Sequence, residues 1–234
     1  MQTDKALGQQ IHELLVSKGI ETPLSEFRDL KESHRHIEHS VKTILLDLGL
    51  DLEDDSLRDT PNRVAKMFCE EIFGGLNYEN FPACTTVANK MGCDEMVLVR
   101  NIVLRSTCEH HLQPIYGVAH VGYLPNPNGK IGAPLNGQDR GCGKILGLSK
   151  LSRVVTFFAA RPQVQERLTE QIYAALSHIL ETEDVAVVIE AEHFCMKMRG
   201  VKDPSSVTTT SKMGGRFRTV DSARMELLQL IRRP

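Results

Sequence analysis

Residues 95–124 read EMVLVRNIVLRSTCEHHLQPIYGVAHVGYL. Two runs, 95–107 and 115–124, are rich in valine, isoleucine, leucine and tyrosine, side chains that suit a pleated, half-buried surface. They predict two strands with Cys108-Glu109-His110-His111 in the turn between them. Downstream, 149–160 and 163–180 read as helices separated by Pro162, the second with Leu168, Ile172, Ala175, Leu176 and Ile179 on one face. A strand is predicted at 184–195, another through Thr208-Thr209-Thr210, and a closing helix at 221–232. The order strand, strand, helix, helix, strand, strand indicates an α+β fold, an antiparallel sheet with two helices on one face.

Upstream the periodicity is helical. Leu7, Ile11, Leu14 and Leu15 recur at helical spacing over 4–18, and Ile37, Val41, Ile44, Leu45 and Leu48 do so from residue 32, with Gly19 and Gly49 as stops and a linker at 20–32. Thr60-Pro61 is a start signal: threonine can cap free amides, and proline in the first turn loses no needed hydrogen bond. Val64, Met67, Phe68, Ile72 and Phe73 form the apolar face of that helix, and Gly74-Gly75 closes it. The expected organisation is a helical region over 1–82 followed by a second domain over 83–234.

Composition narrows the function classes. With 41% hydrophobic and 25% charged residues the chain matches globular averages, which excludes disordered and fibrous classes. A formal net charge of −2 lacks the positive excess needed to coat nucleic acid or an anionic membrane. Residues 1–12 lack the apolar core of a signal peptide and no run of apolar residues reaches membrane-spanning length, so a cytoplasmic location is expected. Six cysteines without a short regular framework read as reduced thiols, and Cys69, Cys84, Cys93 and Cys142 as small buried hydrophobes.

Cys108 and His111 are three apart, a spacing at which a thiolate and an imidazole in one turn can converge on zinc. No C-x-x-C pair is present to complete a four-ligand structural site, and three protein ligands with an open position is the catalytic arrangement. Cys195, expected at a strand end on the same face as His193, is the third candidate ligand. Ser149-Lys150-Leu151-Ser152-Arg153 opens a helix with a capping hydroxyl, free amides and two cations one turn apart, the outline of a phosphate site. Arg63 and Lys66 repeat the spacing, and Arg199 follows Cys195; taken singly, each reads as a solvated surface charge, as does Glu166. The glycine-rich stretch 137–144 lacks Walker-loop and dinucleotide spacing, and zinc-protease and zinc-deaminase signatures are absent.

Ser106-Thr107-Cys108-Glu109-His110-His111, the run 147–153, the run 161–168 and His193-Phe194-Cys195, in this order, resemble the GTP cyclohydrolase I family. The likeness runs from about residue 50 to the C-terminus; the first 45 residues match only in being helical. The resemblance implies a tunnelling-fold domain behind a helical N-terminal region, assembled into a homodecamer with active sites between subunits. It implies that GTP loses C8 as formate and closes into 7,8-dihydroneopterin triphosphate, the entry to folate or tetrahydrobiopterin. It further implies zinc (Zn2+) on Cys108, His111 and Cys195, with His193 and His110 as proton-handling catalytic residues. Glu166 would bind the guanine as a carboxylate facing N1–H and the 2-amino group, Gln165 would bind the substrate beside it, and Ser149, Lys150, Arg153, Arg199, Arg63 and Lys66 would bind the triphosphate.

One departure from the family pattern is a Gly/Pro/Asn-rich insertion at about 125–146, whose composition suits a surface loop at a hairpin tip. It keeps open the alternative of a catalytically silent GTP-binding paralogue. A nitrile reductase on the same fold, using a nucleophilic cysteine and no zinc, is disfavoured by the Cys108, His111, Cys195 set.

Overall fold

The structure, a computed structural model, describes residues 2–25, 30–125 and 143–232. Helix α1 (Lys5–Ser17) begins where Asp4 Oδ1 accepts from the Leu7 N–H at 3.0 Å, and the chain turns away at Gly19 with a left-handed φ of +66°. Ile11 and Leu15 of α1 are fully buried in the main core. Helix α2 (Leu30–Asp47), stopped by Gly49 at φ +79°, packs against α3 (Thr60–Lys66). Thr60 does not cap α3 as expected: it is the first helical residue, Asp59 precedes it, and no side-chain capping bond forms. The helix then widens into a π-helical turn, Met67–Ile72, before Gly74–Leu76. Glycine is required at 75, because a Cβ there would sit 2.1 Å from the Phe157 carbonyl oxygen.

The central sheet has the order β5-β2-β3-β6-β7, built from β2 (Val97–Cys108), β3 (Pro114–Tyr123), β5 (Pro162–Gln163), β6 (Val185–His193) and β7 (Thr208–Met213). β2, β3, β6 and β7 pair antiparallel in sequence, while β5 adds a short parallel rung at Thr107 and Cys108. A bulge between Val99 and Ile102, with Asn101 at φ +57°, resets the alternation of β2, so that Ile102, Leu104 and Ser106 point inward. Helices α4 (Leu148–Ala159) and α5 (Gln165–Leu180) cover one face, where Leu151, Val155 and Phe158 meet Leu168, Ile172 and Leu176 over Leu104, Val187 and Ile189. A second, small sheet pairs β1 (Thr86–Ala88) with β4 (Lys144–Leu146).

The mixed α+β reading agrees with the structure, with two corrections. Helices are not confined to one face. On the other face, α7 (Gly215–Thr219) and α8 (Asp221–Arg232) bury Phe217 and Leu227 against Ala186, Val188 and Met213, so the start of β6 is covered on both sides. The segment 184–195 is also not strand throughout: it ends at His193, and Phe194–Lys197 forms a helical turn, α6, bonded from Met198 N–H to Phe194 O. Cys195 therefore does not share a strand face with His193. Of the insertion read at 125–146, residues 126–142 lie outside the described residues, as do Cys142, most of the glycine-rich stretch and residues 26–29 of the linker. Among the described residues, no helix is long and apolar enough to cross a membrane.

Candidate active site

The turn that joins β2 to β3 is closed by its own backbone. Cys108 N–H donates to Gln113 O at 2.8 Å, Leu112 N–H donates to Cys108 O at 2.9 Å, and Leu112 takes a left-handed φ of +52°. This curl turns His111 back over Cys108. The third donor comes from the neighbouring strand: His193 at the end of β6 lies opposite Ile115 of β3, and α6 then folds Cys195 toward the turn. The ligand atoms of Cys108, His111 and Cys195 all lie within 4.8 Å of one another. Two thiols and an imidazole are a donor set that zinc takes, commonly with a fourth ligand. Burial and the facing Cys108 thiol push the Cys195 thiol up, while Arg199 pulls it down; a cation bound by Cys108, His111 and Cys195 would hold both sulfurs as thiolates.

Cys108 is buried, Cys195 half-buried and His111 exposed, so the centre sits at the rim of the sheet with one side toward solvent. His110, exposed, has its Nδ1 4.0 Å from Cys108 Sγ. His193 is half-buried, and burial lowers its pKa despite the opposing pull of the nearby Glu166 carboxylate. Its Nε2 is 2.7 Å from Gln165 Oε1. Glu166, next along the first turn of α5, is exposed. The sheet thus brings Cys108, His110, His111, Gln165, Glu166, His193 and Cys195 to one end.

Two residues outside the sequence reading join this group. Arg167 ion-pairs with Glu109 of the metal turn, and also donates to Gln163 Oε1 at 3.3 Å and to Pro162 O at 3.3 Å. Glu109 N–H donates to Gln163 O at 3.0 Å, so backbone and side chain both tie the turn to the segment that starts α5. Gln163 is fully buried, its amide held by Phe158 O and Gln171 Oε1, both at 2.8 Å. The run 161–168 contained these residues, but only contacts across the fold give them this place.

The phosphate-site cations are arranged differently from expectation. Gly147, not Ser149, precedes α4, and no side chain caps that end; Ser149 is exposed at the second helical position. Lys150 and Arg153 are half-buried near Cys84, whose thiol burial pushes up to about 11 even as the two cations pull it down. Ser106 Oγ donates to Ala159 O at 2.8 Å, which fixes the C-terminal end of α4, not its start, beside the metal turn. At about 1.5 Å per residue, Lys150 begins roughly 14 Å back along the helix. Arg63 and Lys66 lie exposed on α3, with Arg63 3.6 Å from Asp59, and α3 packs mainly on α2. Among the six proposed phosphate ligands, Arg199 is near enough to the donors for its charge to act on Cys195.

A five-stranded α+β sheet carrying a Cys/His/Cys centre at its rim defines a protein with the donor geometry of a metalloenzyme. The model of the GTP cyclohydrolase I family matches residues 37–133 and 140–232, beginning earlier than the likeness read from residue 50 and breaking only inside the inserted segment. Proteins named GTP cyclohydrolase 1 match nearly end to end. That of Shewanella denitrificans is 51% identical over 221 residues, 94% of each chain, and that of Aliivibrio fischeri 49% identical over 223 residues, 95% of each. That of Aeromonas hydrophila subsp. hydrophila is 49% identical over 220 residues, 94% of each. The chain belongs to the GTP cyclohydrolase I family. A solved dihydroneopterin aldolase from Burkholderia thailendensis, bound to guanine, aligns with 52% of this chain and 92% of its own at 16% identity and a TM-score of 0.31, too distant to bear on fold or function.

Proposed function

We propose that this chain is a zinc-dependent GTP cyclohydrolase I, converting GTP to 7,8-dihydroneopterin triphosphate and formate at the head of folate synthesis. The observation that carries the reading is the convergence of Cys108, His111 and Cys195 within 4.8 Å, in a chain about 50% identical to proteins of that name. Zinc bound there supplies a Lewis acid that activates water at neutral pH. The chain's own residues supply the rest. His193, kept uncharged near neutral pH by burial, can take up a proton beside the metal donors and return it as the ring opens. His110, exposed on the turn of Cys108 and His111, can do so as well. Glu166 at the first turn of α5 can accept from two guanine N–H donors at once, a pairing that adenine does not offer.

The triphosphate site is proposed at a junction between copies of the chain, on a tunnelling-fold domain over 83–234 behind the helical region 1–82. In one chain Lys150 and Arg153 start roughly 9–14 Å along α4 from the metal end, and Arg63 and Lys66 stand on a separate helical layer. A neighbouring copy can bring such cations opposite another copy's metal turn, consistent with a homodecamer. On the side of β2 away from β3, β5 pairs with Thr107 and Cys108.

The test is to incubate purified protein with GTP and measure formate and the fluorescence of the oxidised pterin, alongside Cys108→Ser and His110→Ala. Turnover in the parent and its loss in both variants supports the reading. A zinc-loaded, GTP-binding parent without turnover points instead to the silent paralogue, with the 125–146 insertion as first suspect.

A further inference from the structure

We propose that Gln165 is a positioning residue whose side-chain amide fixes the ring orientation and tautomer of His193, so that the imidazole presents Nδ1 to the reaction site. The inference rests on the reading of His193 as a catalytic residue. It differs from the family resemblance, which casts Gln165 as a substrate contact.

Gln165 is 1% exposed, and both ends of its amide are occupied inside the protein. One end faces Thr208 O at 3.0 Å, Ile189 O at 3.2 Å and Thr210 Oγ1 at 3.2 Å. Two carbonyl oxygens can only accept, so the atom facing them must be the NH2 group; the flipped amide would set oxygen against oxygen. The other end is therefore the carbonyl, 2.7 Å from His193 Nε2. A carbonyl brings no proton, so His193 must carry one on Nε2, and the nitrogen left over is Nδ1.

A ring of hydroxyls reinforces this direction. Thr169 Oγ1 donates to Gln165 O at 2.8 Å, which uses its one proton. The 2.7 Å contact between Thr169 Oγ1 and Thr210 Oγ1 must then be a donation from Thr210, leaving a Thr210 lone pair for the Gln165 amide. The first turn of α5 is thereby pinned to β6 and β7 at the point where β6 delivers His193. A side chain so enclosed has no atom left to read a base, whereas it has a direct route to the geometry of the histidine. Second partners that fix a histidine tautomer in this way commonly matter about 10–100-fold to a metal site's performance.

The decisive measurement uses the zinc-loaded full chain with 15N-labelled histidine, recorded well above the ordinary imidazole pKa of about 6.5, with His193→Gln to assign the signals. Two-bond proton–nitrogen correlations should show His193 as the Nε2–H tautomer. In Gln165→Met the same signals should shift toward a mixture of tautomers. Its kcat for GTP should fall about 10–100-fold while KM moves less than about twofold and zinc content is unchanged. Thr210→Val, which removes one of three acceptors from the Gln165 amide, should act in the same direction with a smaller effect. If Gln165→Met does not fold, the parent spectrum and Thr210→Val decide. An Nδ1–H tautomer in the parent overturns the proposal, as does a variant whose KM rises while kcat holds, the mark of a substrate contact. The spectrum needs no turnover, so a chain that fails to convert GTP sinks the functional reading without deciding this one.

Discussion

At the scale of single residues, the metal turn depends on a side chain that never reaches the metal donors. Arg167 is 15% exposed and holds Glu109 on one side and the Gln163 and Pro162 oxygens on the other. Replacing it by alanine removes the planar fork and leaves the Glu109 carboxylate, 24% exposed, without its cation. Zinc retention by Arg167→Ala, followed by competition with a chelator, should weaken about 10–100-fold; unchanged retention would mean that the backbone bonds of Cys108 and Glu109 hold the turn without the ion pair. His120 gives a pH signature of another kind. Its ring is 3% exposed, accepts at Nδ1 from the Asn101 N–H at 3.4 Å, and has its pKa lowered by burial, with Arg100 lowering it further and Glu190 opposing. A base whose folded pKa is depressed binds fewer protons folded than unfolded. Its contribution is therefore full above the unfolded value near 6.5 and is lost as pH falls toward the folded one. The melting temperature should drop between about pH 7 and pH 5 less steeply in His120→Gln than in the parent; equal slopes would exclude His120 as a source. Neither role was legible in the sequence, where Arg167 and Glu109 are 58 positions apart and His120 is one more residue of a strand. By contrast Cys108 and His111 were expected together because they share one short turn, whereas Cys195 comes within reach of them through the turn of α6 and not along the strand face from which it was expected.

At the scale of elements, the long helices and strands followed from periodicity; α1, α4 and α5 bury the apolar face it marks, whereas α2 keeps the same spacing with Ile44 57% exposed. The elements that escaped are short. β5 has two residues and exists only as a parallel rung on β2, and β1 and β4 pair across the insertion. α6 escaped because 184–195 is apolar enough to read as one strand, while the chain after His193 curls to deliver Cys195. The attachment of α1 to the body of the protein is equally nonlocal. Arg161, with no exposed surface, donates to Glu21 Oε1 at 3.1 Å, Tyr78 OH at 3.2 Å and Gly75 O, beneath the rings of Tyr78, Phe157 and Phe158. Glu21 also bonds His12 of α1 at 3.0 Å and the Tyr78 hydroxyl, whose pKa burial raises. Removing one partner of such a pair strands a buried charge, at a cost of about 3–5 kcal/mol. Glu21→Gln should therefore lower the melting temperature by roughly 6–20 °C, at about 2–4 °C per kcal/mol for a chain of this size. A drop under about 2 °C would show that water or a rearranged Tyr78 compensates for the lost charge.

At the scale of the whole molecule, one chain gathers Cys108, His111 and Cys195 with His110, His193 and Glu166, and carries Lys150 and Arg153 on α4 and Arg63 and Lys66 on α3. Cys108→Ser and Lys150→Ala should each be inactive alone. If sites are shared between copies, with metal donors from one and Lys150 from another, co-expressed subunits should regain activity in about a quarter of sites by random mixing. No regain from mixed oligomers would mean that each chain completes its own site. The sequence could not display this arrangement, since a helix dipole and two cations look alike whether they serve their own fold or a neighbour's.

The donor set also has a history in time. Cys108 and His111 leave the ribosome together on one turn, but Cys195 follows only after β3, α4, α5 and β6 have been made, several seconds later at roughly 5–20 residues per second. Until β6 has paired with β3, an ion caught by the first two donors has no third to keep it. A metal held by all three donors would thus be captured late in biogenesis, and its tight retention would report that β6 has closed on β3.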